Sequence, residues 1–316
     1  MTIVPNSISV VIPVYNSVDF LPVLITRLEP VLKSITSRYE VIFVNDGSKD
    51  NSWQRIQELS ELHSWIAGVD LMRNYGQHNA LLCGIRMARN EIIVNMDDDL
   101  QHPPEEIPRL IAKLLEGYDV VYGTPEKEQH GFWRDRASQI SKFVLQESMG
   151  AEIARRASAF RVFRRDVRVV FDHYQSSYVS IDVLLTWGTT RFAAVTVRHD
   201  ARRSGASNYT FGKLLTHTLN MFTGFSTMPL QLFSLLGIAC VIFGLGLLIF
   251  VTGRYFIQGI IVHWLVSLVS LIIIFSGVQL AALGIIGEYL TRMHFCSMGK
   301  PPHVIRQVVG LKKGCD

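Results

Sequence analysis

Two stretches near the C-terminus carry no charged residue: Leu232 to Val251 and Leu265 to Ile286. Few features constrain a fold more, because about 20 apolar residues in a helix cross the core of a bilayer. Joined by the short connection from Thr252 to Trp264, the two runs read as a transmembrane hairpin rather than as two buried core helices. Arg202, Arg203 and Lys213 precede the first run, and Arg292, Lys300, Arg306, Lys312 and Lys313 follow the second. The connection holds only Arg254 and His263. Basic flanks mark the cytoplasmic side, so both ends, and with them the large N-terminal portion, are expected in the cytoplasm. The start, Met1-Thr2-Ile3-Val4-Pro5, has no basic segment followed by an apolar one, so no signal peptide is expected.

The formal net charge of +4 over 316 residues suits a domain pressed against anionic lipid and gives no argument for nucleic acid binding. Cys83, Cys240, Cys296 and Cys315 are scattered without metal-binding spacing and read as reduced structural thiols.

Ahead of the hairpin, strand and helix signals alternate. Apolar runs at Ile8 to Val14, Glu40 to Val44, Ile66 to Leu71, Glu91 to Met96 and Asp119 to Tyr122 read as strands. Leu21 to Leu32, Asn51 to Leu62 and Gln77 to Arg89 carry helical patterns between them. Such alternation implies a parallel sheet covered by helices on both faces, and such sheets bind ligands beyond the carboxyl ends of their strands. There the sequence puts Pro13-Val14-Tyr15-Asn16, then Asn45-Asp46-Gly47-Ser48, then Arg73-Asn74-Tyr75-Gly76. After the fourth strand come Asp97, Asp98 and Asp99, with Leu100, Gln101, His102, Pro103 and Pro104 leading into a helix. Like charges this close repel, and a divalent cation among them resolves the repulsion. Alternate strand positions point the same way, so Asp97 and Asp99 face one ion while Asp98 faces elsewhere. Hard cations such as Mg²⁺ or Mn²⁺ take oxygen ligands and share them with phosphates. A solvated acidic turn or a helix N-cap is the plainer alternative.

No G-x-G-x-x-G follows a strand and no Walker A sequence occurs, which disfavours nicotinamide and P-loop chemistry. From Phe132 to about Asp172 the chain is basic and reads as helical. It is either a solvated face or a wall towards phosphates or lipid headgroups. Arg191 to His199 reads as a strand. Phe211, Leu214, Leu215, Leu219 and Phe222 recur at helical spacing just before the first apolar run, as an interfacial helix or a helix packed on the domain.

Val11-Ile12-Pro13-Val14-Tyr15-Asn16, Val44-Asn45-Asp46-Gly47-Ser48-Lys49-Asp50, Arg73-Asn74-Tyr75-Gly76-Gln77 and Asp97-Asp98-Asp99-Leu100-Gln101 together resemble a family 2 inverting glycosyltransferase. Arg202-x-x-Gly205-x-Ser207-x-Tyr209 followed by a two-span hairpin is similar to the polyisoprenyl-phosphate glycosyltransferases of that family. The resemblance runs from about Ile8 to Arg306. It implies an α/β GT-A fold, Rossmann-like and mainly parallel, over residues 1–200. Interfacial helices over 201–230, the hairpin within 231–290 and a basic cytoplasmic tail over 291–316 follow. It further implies transfer of a sugar, from UDP-glucose or a related UDP-hexose, to a polyprenyl phosphate such as undecaprenyl phosphate. The setting is the bacterial inner membrane, the cofactor Mg²⁺ or Mn²⁺, and the assembly a homo-oligomer, by analogy a tetramer.

Carried over position by position, the resemblance gives Asp46 the nucleotide base, with Pro13, Tyr15 and Asn16 in the flanking loop and Gly76, Asp97 and Asp98 completing the nucleotide-sugar site. Asp97 and Asp99 match the metal-binding pair, and Gln101 matches the polar residue beside it. Arg134, Ser138 and Arg161 match the acceptor-phosphate region, and Arg202 and Ser207 the loop that closes over the diphosphate. Asp99 and Arg202 are the leading catalytic residues. The chain departs from the family pattern at Ser17, where Glu is common, at Asn45, where Asp is common, and at Asp98, where the residue is usually small. Arg155-Arg156-Ala157-Ser158-Ala159 stands where a carboxylate usually precedes the Phe160-Arg161 element, and Asp182 is the nearest candidate substitute.

Two rival readings differ in kind. A processive polysaccharide synthase would carry a Gln-x-x-Arg-Trp element and further spans, and neither is present. A catalytically inactive, membrane-anchored sugar-nucleotide binding protein would keep the loops without turnover.

Overall fold

The structure, a computed structural model, describes residues 5–125, 156–175, 179–200 and 301–310, with scattered helical positions between 268 and 297. The chain divides into two compact units, Met1–Thr218 with Gly299–Asp316, and Leu219–Met298.

In the first unit the alternating apolar runs become β1 (Ile8–Val14), β2 (Tyr39–Asn45), β3 (Ile66–Leu71) and β4 (Ile92–Asn95), each ending in a polar loop. Between them lie α1 (Phe20–Ile35), α2 (Ser52–Leu62) and α3 (Gln77–Met87). After a short 3₁₀ turn at Pro104–Glu106 comes α4 (Ile107–Leu115). β5 (Val120–Pro125), β6 (Arg161–Arg164), α5 (Val169–Asp172), α6 (Ile181–Gly188), β7 (Phe192–Val197) and β8 (Ile305–Val309) complete the described elements.

The sheet runs β7-β5-β6-β4-β1-β2-β3-β8. β4, β1, β2 and β3 are mutually parallel, as near-continuous apolar strands with helical crossovers require. β6 runs antiparallel between β4 and β5, and β8 antiparallel along β3. On one face Val10, Ile12, Phe43, Ile92 and Val94 pack against Leu24 and Leu28 of α1, Ile56 of α2 and Leu110 of α4. On the other face α3 comes close through Gly84, where a Cβ would stand 2.4 Å from Val11 Cγ1.

β6 corrects the helical reading of the basic stretch at Arg161–Arg164, while Arg165–Asp172 is helical and residues 132–155 lie outside the described residues. Phe160, Arg161, Val162 and Phe163 are all buried, and their pairing with β4 and β5 replaces helical hydrogen bonds. The arginines that follow direct their guanidinium groups to nearby carbonyls, although Arg165 stays exposed. Arg164 donates to the Leu114 carbonyl, Arg165 to that of Arg89 and Arg168 to that of Ala88. They thereby cap carbonyls at or just beyond the C-terminal ends of α3 and α4, where a cation also complements the helix dipole. β8 was legible as no element at all, since its side chains are mostly exposed.

In the second unit the described positions are helical, and Leu268, Ile272, Leu283, Ile286, Leu290 and Met293 are exposed. Among the described residues no helix is long and apolar enough to cross a membrane. The interfacial stripe, the run 232–251 and most of the run 265–286 lie outside the described residues, as do Arg134, Ser138, Arg155, Arg202 and Ser207.

Candidate active site

At the carboxyl edge of the parallel strands the four loops are bonded to one another. Behind β1, Asn16 takes a left-handed backbone (φ 55), its N–H donates to Ser48 Oγ at 3.0 Å, and its Oδ1 accepts from the Lys49 N–H at 2.8 Å. The Ser17 N–H donates to Ser52 Oγ at 2.9 Å, and Asp50 accepts from the Val18 and Ser52 N–H groups. The loops after β1 and β2 thus form one piece. Tyr15 stands at its rim, 37% exposed.

Asp46 ties the second loop to the third. It is buried, and its two carboxylate oxygens accept from the Tyr75 N–H at 2.7 Å and the Gly76 N–H at 2.9 Å. Burial raises its carboxyl above the ordinary range, opposed by those two donors. Gly47 (φ 64) allows the loops to touch, since a Cβ there would stand 2.6 Å from backbone atoms of Arg73 and Asn74. The Arg73 guanidinium lies 4.6 Å from the centre of the Tyr75 ring. Asp46 was assigned the base on resemblance; its visible work is to fix the loop beside Tyr75 and Gly76.

The aspartate cluster closes the circuit. Asp97 Oδ1 accepts from Gln77 Nε2, the first residue of α3, at 2.7 Å. Asp99 Oδ1 accepts from the Gln101 N–H at 3.1 Å. Asp98 lies beside the first loop, where the Ser17 hydroxyl and the Tyr15 N–H favour its charged form, while the Ser17 hydroxyl itself donates to the Tyr15 carbonyl at 3.3 Å. Burial pushes its carboxyl up to about 6, and the neighbouring Asp99 charge adds to the rise. Leu100, buried, sits at φ 60. Leu100 and Asn16 are the two non-glycine residues at positive φ among the described residues, and both lie in these loops. Strain of this kind persists where the surroundings hold it, commonly at functional sites. The Asp200 N–H donates to the Gln101 carbonyl at 2.8 Å, so the chain leading to Arg202 departs from beside the cluster.

Arg161 and Asp182, read from the sequence as two separate site residues, form one ion pair. Asp182 Oδ1 also accepts from Tyr122 Oη at 3.0 Å. The Arg161 side chain is 2% exposed, so as it stands it faces Asp182 and not an acceptor. Sequence reasoning missed Gln77 and Asp70, which reach Asp97 and Asn45. For Gln77 a signal existed, since it directly follows the Arg73-Asn74-Tyr75-Gly76 loop.

Residues 9–171 match the family described as glycosyl transferase family 2. An undecaprenyl-phosphate 4-deoxy-4-formamido-L-arabinose transferase of Proteus mirabilis is 34% identical over 313 residues, covering 98% of this chain and 95% of that protein. Among solved structures, glucosyl-3-phosphoglycerate synthase of Mycobacterium tuberculosis with UDP superposes with a TM-score of 0.51 at 17% identity, covering 69% of this chain and 79% of that one. The same enzyme with Mn²⁺, UDP and glucosyl-3-phosphoglycerate gives 0.50 at 17% identity over the same shares. The structural likeness bears on the fold, and the near-full-length sequence likeness on descent: the chain belongs to glycosyl transferase family 2, on its polyprenyl-phosphate branch.

Proposed function

We propose that this protein transfers a sugar from a UDP-linked donor to undecaprenyl phosphate, with inversion at the anomeric carbon, at the cytoplasmic face of a bacterial inner membrane. The observation that carries the reading is the bonded ring of loops after β1 to β4, which gathers Tyr15, Asp46, Gly76, Asp97 and Asp99 at one sheet edge. The named activity of the Proteus mirabilis relative supports the acceptor.

Asp97 and Asp99 fit a divalent cation. They are hard oxygen donors oriented by Gln77 and by the Gln101 N–H. Among the described residues no group of three or more His, Cys, Asp or Glu side chains suited to a metal occurs. A carboxylate pair is the donor set expected of Mg²⁺ or Mn²⁺ that completes its shell with substrate phosphates. The Mn²⁺ of the glucosyl-3-phosphoglycerate synthase complex accords with this. When bound, the cation would offset charge developing on the leaving diphosphate.

The chain's own residues supply the rest. Tyr15 and the loop fixed by Asp46 hold the nucleotide, and Gln101 stands beside the metal pair. Arg202 and Ser207 close over the diphosphate from the segment that starts beside Gln101. A cation aimed at a developing negative charge contributes most where water is excluded. The acceptor is a phosphate monoester, already largely anionic near neutral pH, so it needs little help from a general base. Arg134 and Ser138 hold it. Positioning is then the main task, and two membrane helices formed by the runs 232–251 and 265–286 hold the lipid. The exposed apolar row of Leu268, Ile272, Leu283, Ile286 and Leu290 suits a lipid-facing side.

The test is a donor screen on full-length protein in detergent with undecaprenyl phosphate and Mg²⁺ or Mn²⁺. UDP-glucose, other UDP-hexoses and the UDP form of 4-deoxy-4-formamido-L-arabinose are offered. One donor yielding a lipid-linked sugar, abolished by EDTA and by Asp99→Ala or Arg202→Ala, is the expected result. Donor binding without transfer to any lipid phosphate favours the inactive binding protein.

A further inference from the structure

We propose that Arg306, on the C-terminal strand β8, is a positioning residue for the donor nucleotide, acting through Asp70 and Asn45 on the loops that follow β2 and β3. The inference rests on the donor-site reading above and adds to it a residue more than two hundred positions away in sequence.

The contacts form a continuous chain. Arg306 Nη1 donates to Asp70 Oδ2 at 3.3 Å, and Nη2 to the Met72 carbonyl at 2.9 Å. Asp70 Oδ1 accepts from Asn45 Nδ2 at 2.7 Å. Asn45 Oδ1 accepts from the Ser48 N–H at 3.4 Å, and Asp46, the next residue, holds Tyr75 and Gly76. The Met72 N–H donates to the Val304 carbonyl at 3.0 Å, just ahead of β8. The loop from Met72 to Gly76 is thus gripped from the inside by Asp46 and from the outside by β8.

An exposed ion pair would do little here, and the Arg306 side chain is 57% exposed. Its partner is not: the Asp70 side chain is 4% exposed, and Arg306 is the one cation paired with it among the described residues. A buried carboxylate left without its cation moves its remaining partners to regain polar contact. The partner at hand is the Asn45 amide, next to Asp46. The guanidinium fork also reaches Asp70 and the Met72 carbonyl together, which a lysine cannot do. The consequence belongs to the donor loops and leaves the Asp97–Asp99 end of the site alone.

The experiment compares wild type, Arg306→Ala, Arg306→Lys and Tyr15→Ala as full-length proteins in detergent. UDP affinity is measured calorimetrically with Mn²⁺ present, alongside KM for donor and for undecaprenyl phosphate. The expected result for Arg306→Ala is a rise in UDP Kd and donor KM of roughly fivefold to tenfold, the scale of one typical net hydrogen bond. kcat and acceptor KM stay within about twofold, and Arg306→Lys recovers part of the affinity. A purely structural role would lower thermal stability and raise both KM values together. UDP affinity unchanged in Arg306→Ala while Tyr15→Ala weakens it overturns the inference alone. UDP affinity unchanged in both overturns the donor-site reading and the inference with it. Should Arg306→Ala fail to fold, wild-type UDP affinity in the folded Arg306→Lys variant overturns the inference, because Lys lacks the fork.

Discussion

Asp182 in the first turn of α6 pairs with Arg161 in β6, and Tyr122 of β5 donates to the same carboxylate. The guanidinium is 2% exposed and the carboxylate 18%. Two neighbouring strands and one helix are therefore pinned at a single oxygen. Removing one partner of such a pair leaves a buried charge uncompensated, at a cost of about 3–5 kcal/mol. Asp182→Ala is expected to lower the thermal midpoint in detergent sharply. The double change Arg161→Met with Asp182→Leu is expected to recover most of it, since apolar replacement removes both desolvation penalties. A small effect of Asp182→Ala on unfolding would contradict a structural pair.

Gln77 orients Asp97 from the start of α3. Partners that hold metal-binding carboxylates commonly matter by about 10–100-fold in metal affinity. Gln77→Ala is accordingly expected to raise the Mn²⁺ concentration for half-maximal turnover by about that factor, with activity regained at high metal. Asp97→Ala and Asp99→Ala are expected to lose roughly 100-fold or more in kcat without regaining it. A metal titration of the three variants separates these outcomes.

The parallel core and the site loops were legible in the sequence because both depend on local signals. Ile8–Val14 and Ile66–Leu71 are buried on both faces and so read as near-continuous apolar runs, interrupted by Ser9 and Asp70. The aspartates stand out because clustered like charges are costly to fold. β6 escaped because only four residues form it, and arginine occupies a buried position where the pattern asks for an apolar residue. Arg161 is tolerated there by Asp182, a partner that no spacing rule points to. β8 escaped for the opposite reason. As an edge strand with exposed side chains it carries no hydrophobic alternation, and its pairing with β3 is a matter of backbone hydrogen bonds.

Gly47 is a test of loop contact. Its φ of 64 lies in the left-handed region, and an added Cβ would meet the Arg73 carbonyl carbon and the Asn74 nitrogen at 2.6 Å. Backbone atoms cannot swing aside as a side chain can. Gly47→Ala is expected to cost on the order of 1–3 kcal/mol in the loop and to weaken UDP binding more than it lowers global stability. Calorimetric UDP titration beside thermal unfolding checks the ratio of the two effects.

His102 makes stability depend on pH. Its ring stacks on Phe160 at 5.3 Å and meets His199 edge-on at 5.0 Å, and neither of its nitrogens has a hydrogen-bond partner among the described residues. Burial, with the His199 charge adding to it, pushes the imidazole down to about 4 from an ordinary value of 6.5. The unfolded chain takes up a proton as pH falls through 6.5, while the folded protein refuses it until about 4. Stability is therefore full above 6.5 and is lost across that window, by about 3 kcal/mol for this residue. His303, pushed down to about 4 by burial and by Arg86, adds a loss of the same sign. His102→Phe keeps an aromatic ring on Phe160 and removes the titrating group. Thermal midpoints measured between about pH 7.5 and 5 should fall less steeply in this variant than in the wild type, with the His303 share of the slope remaining. Parallel curves for the two proteins would mean that the His102 ring gains a proton as easily folded as unfolded.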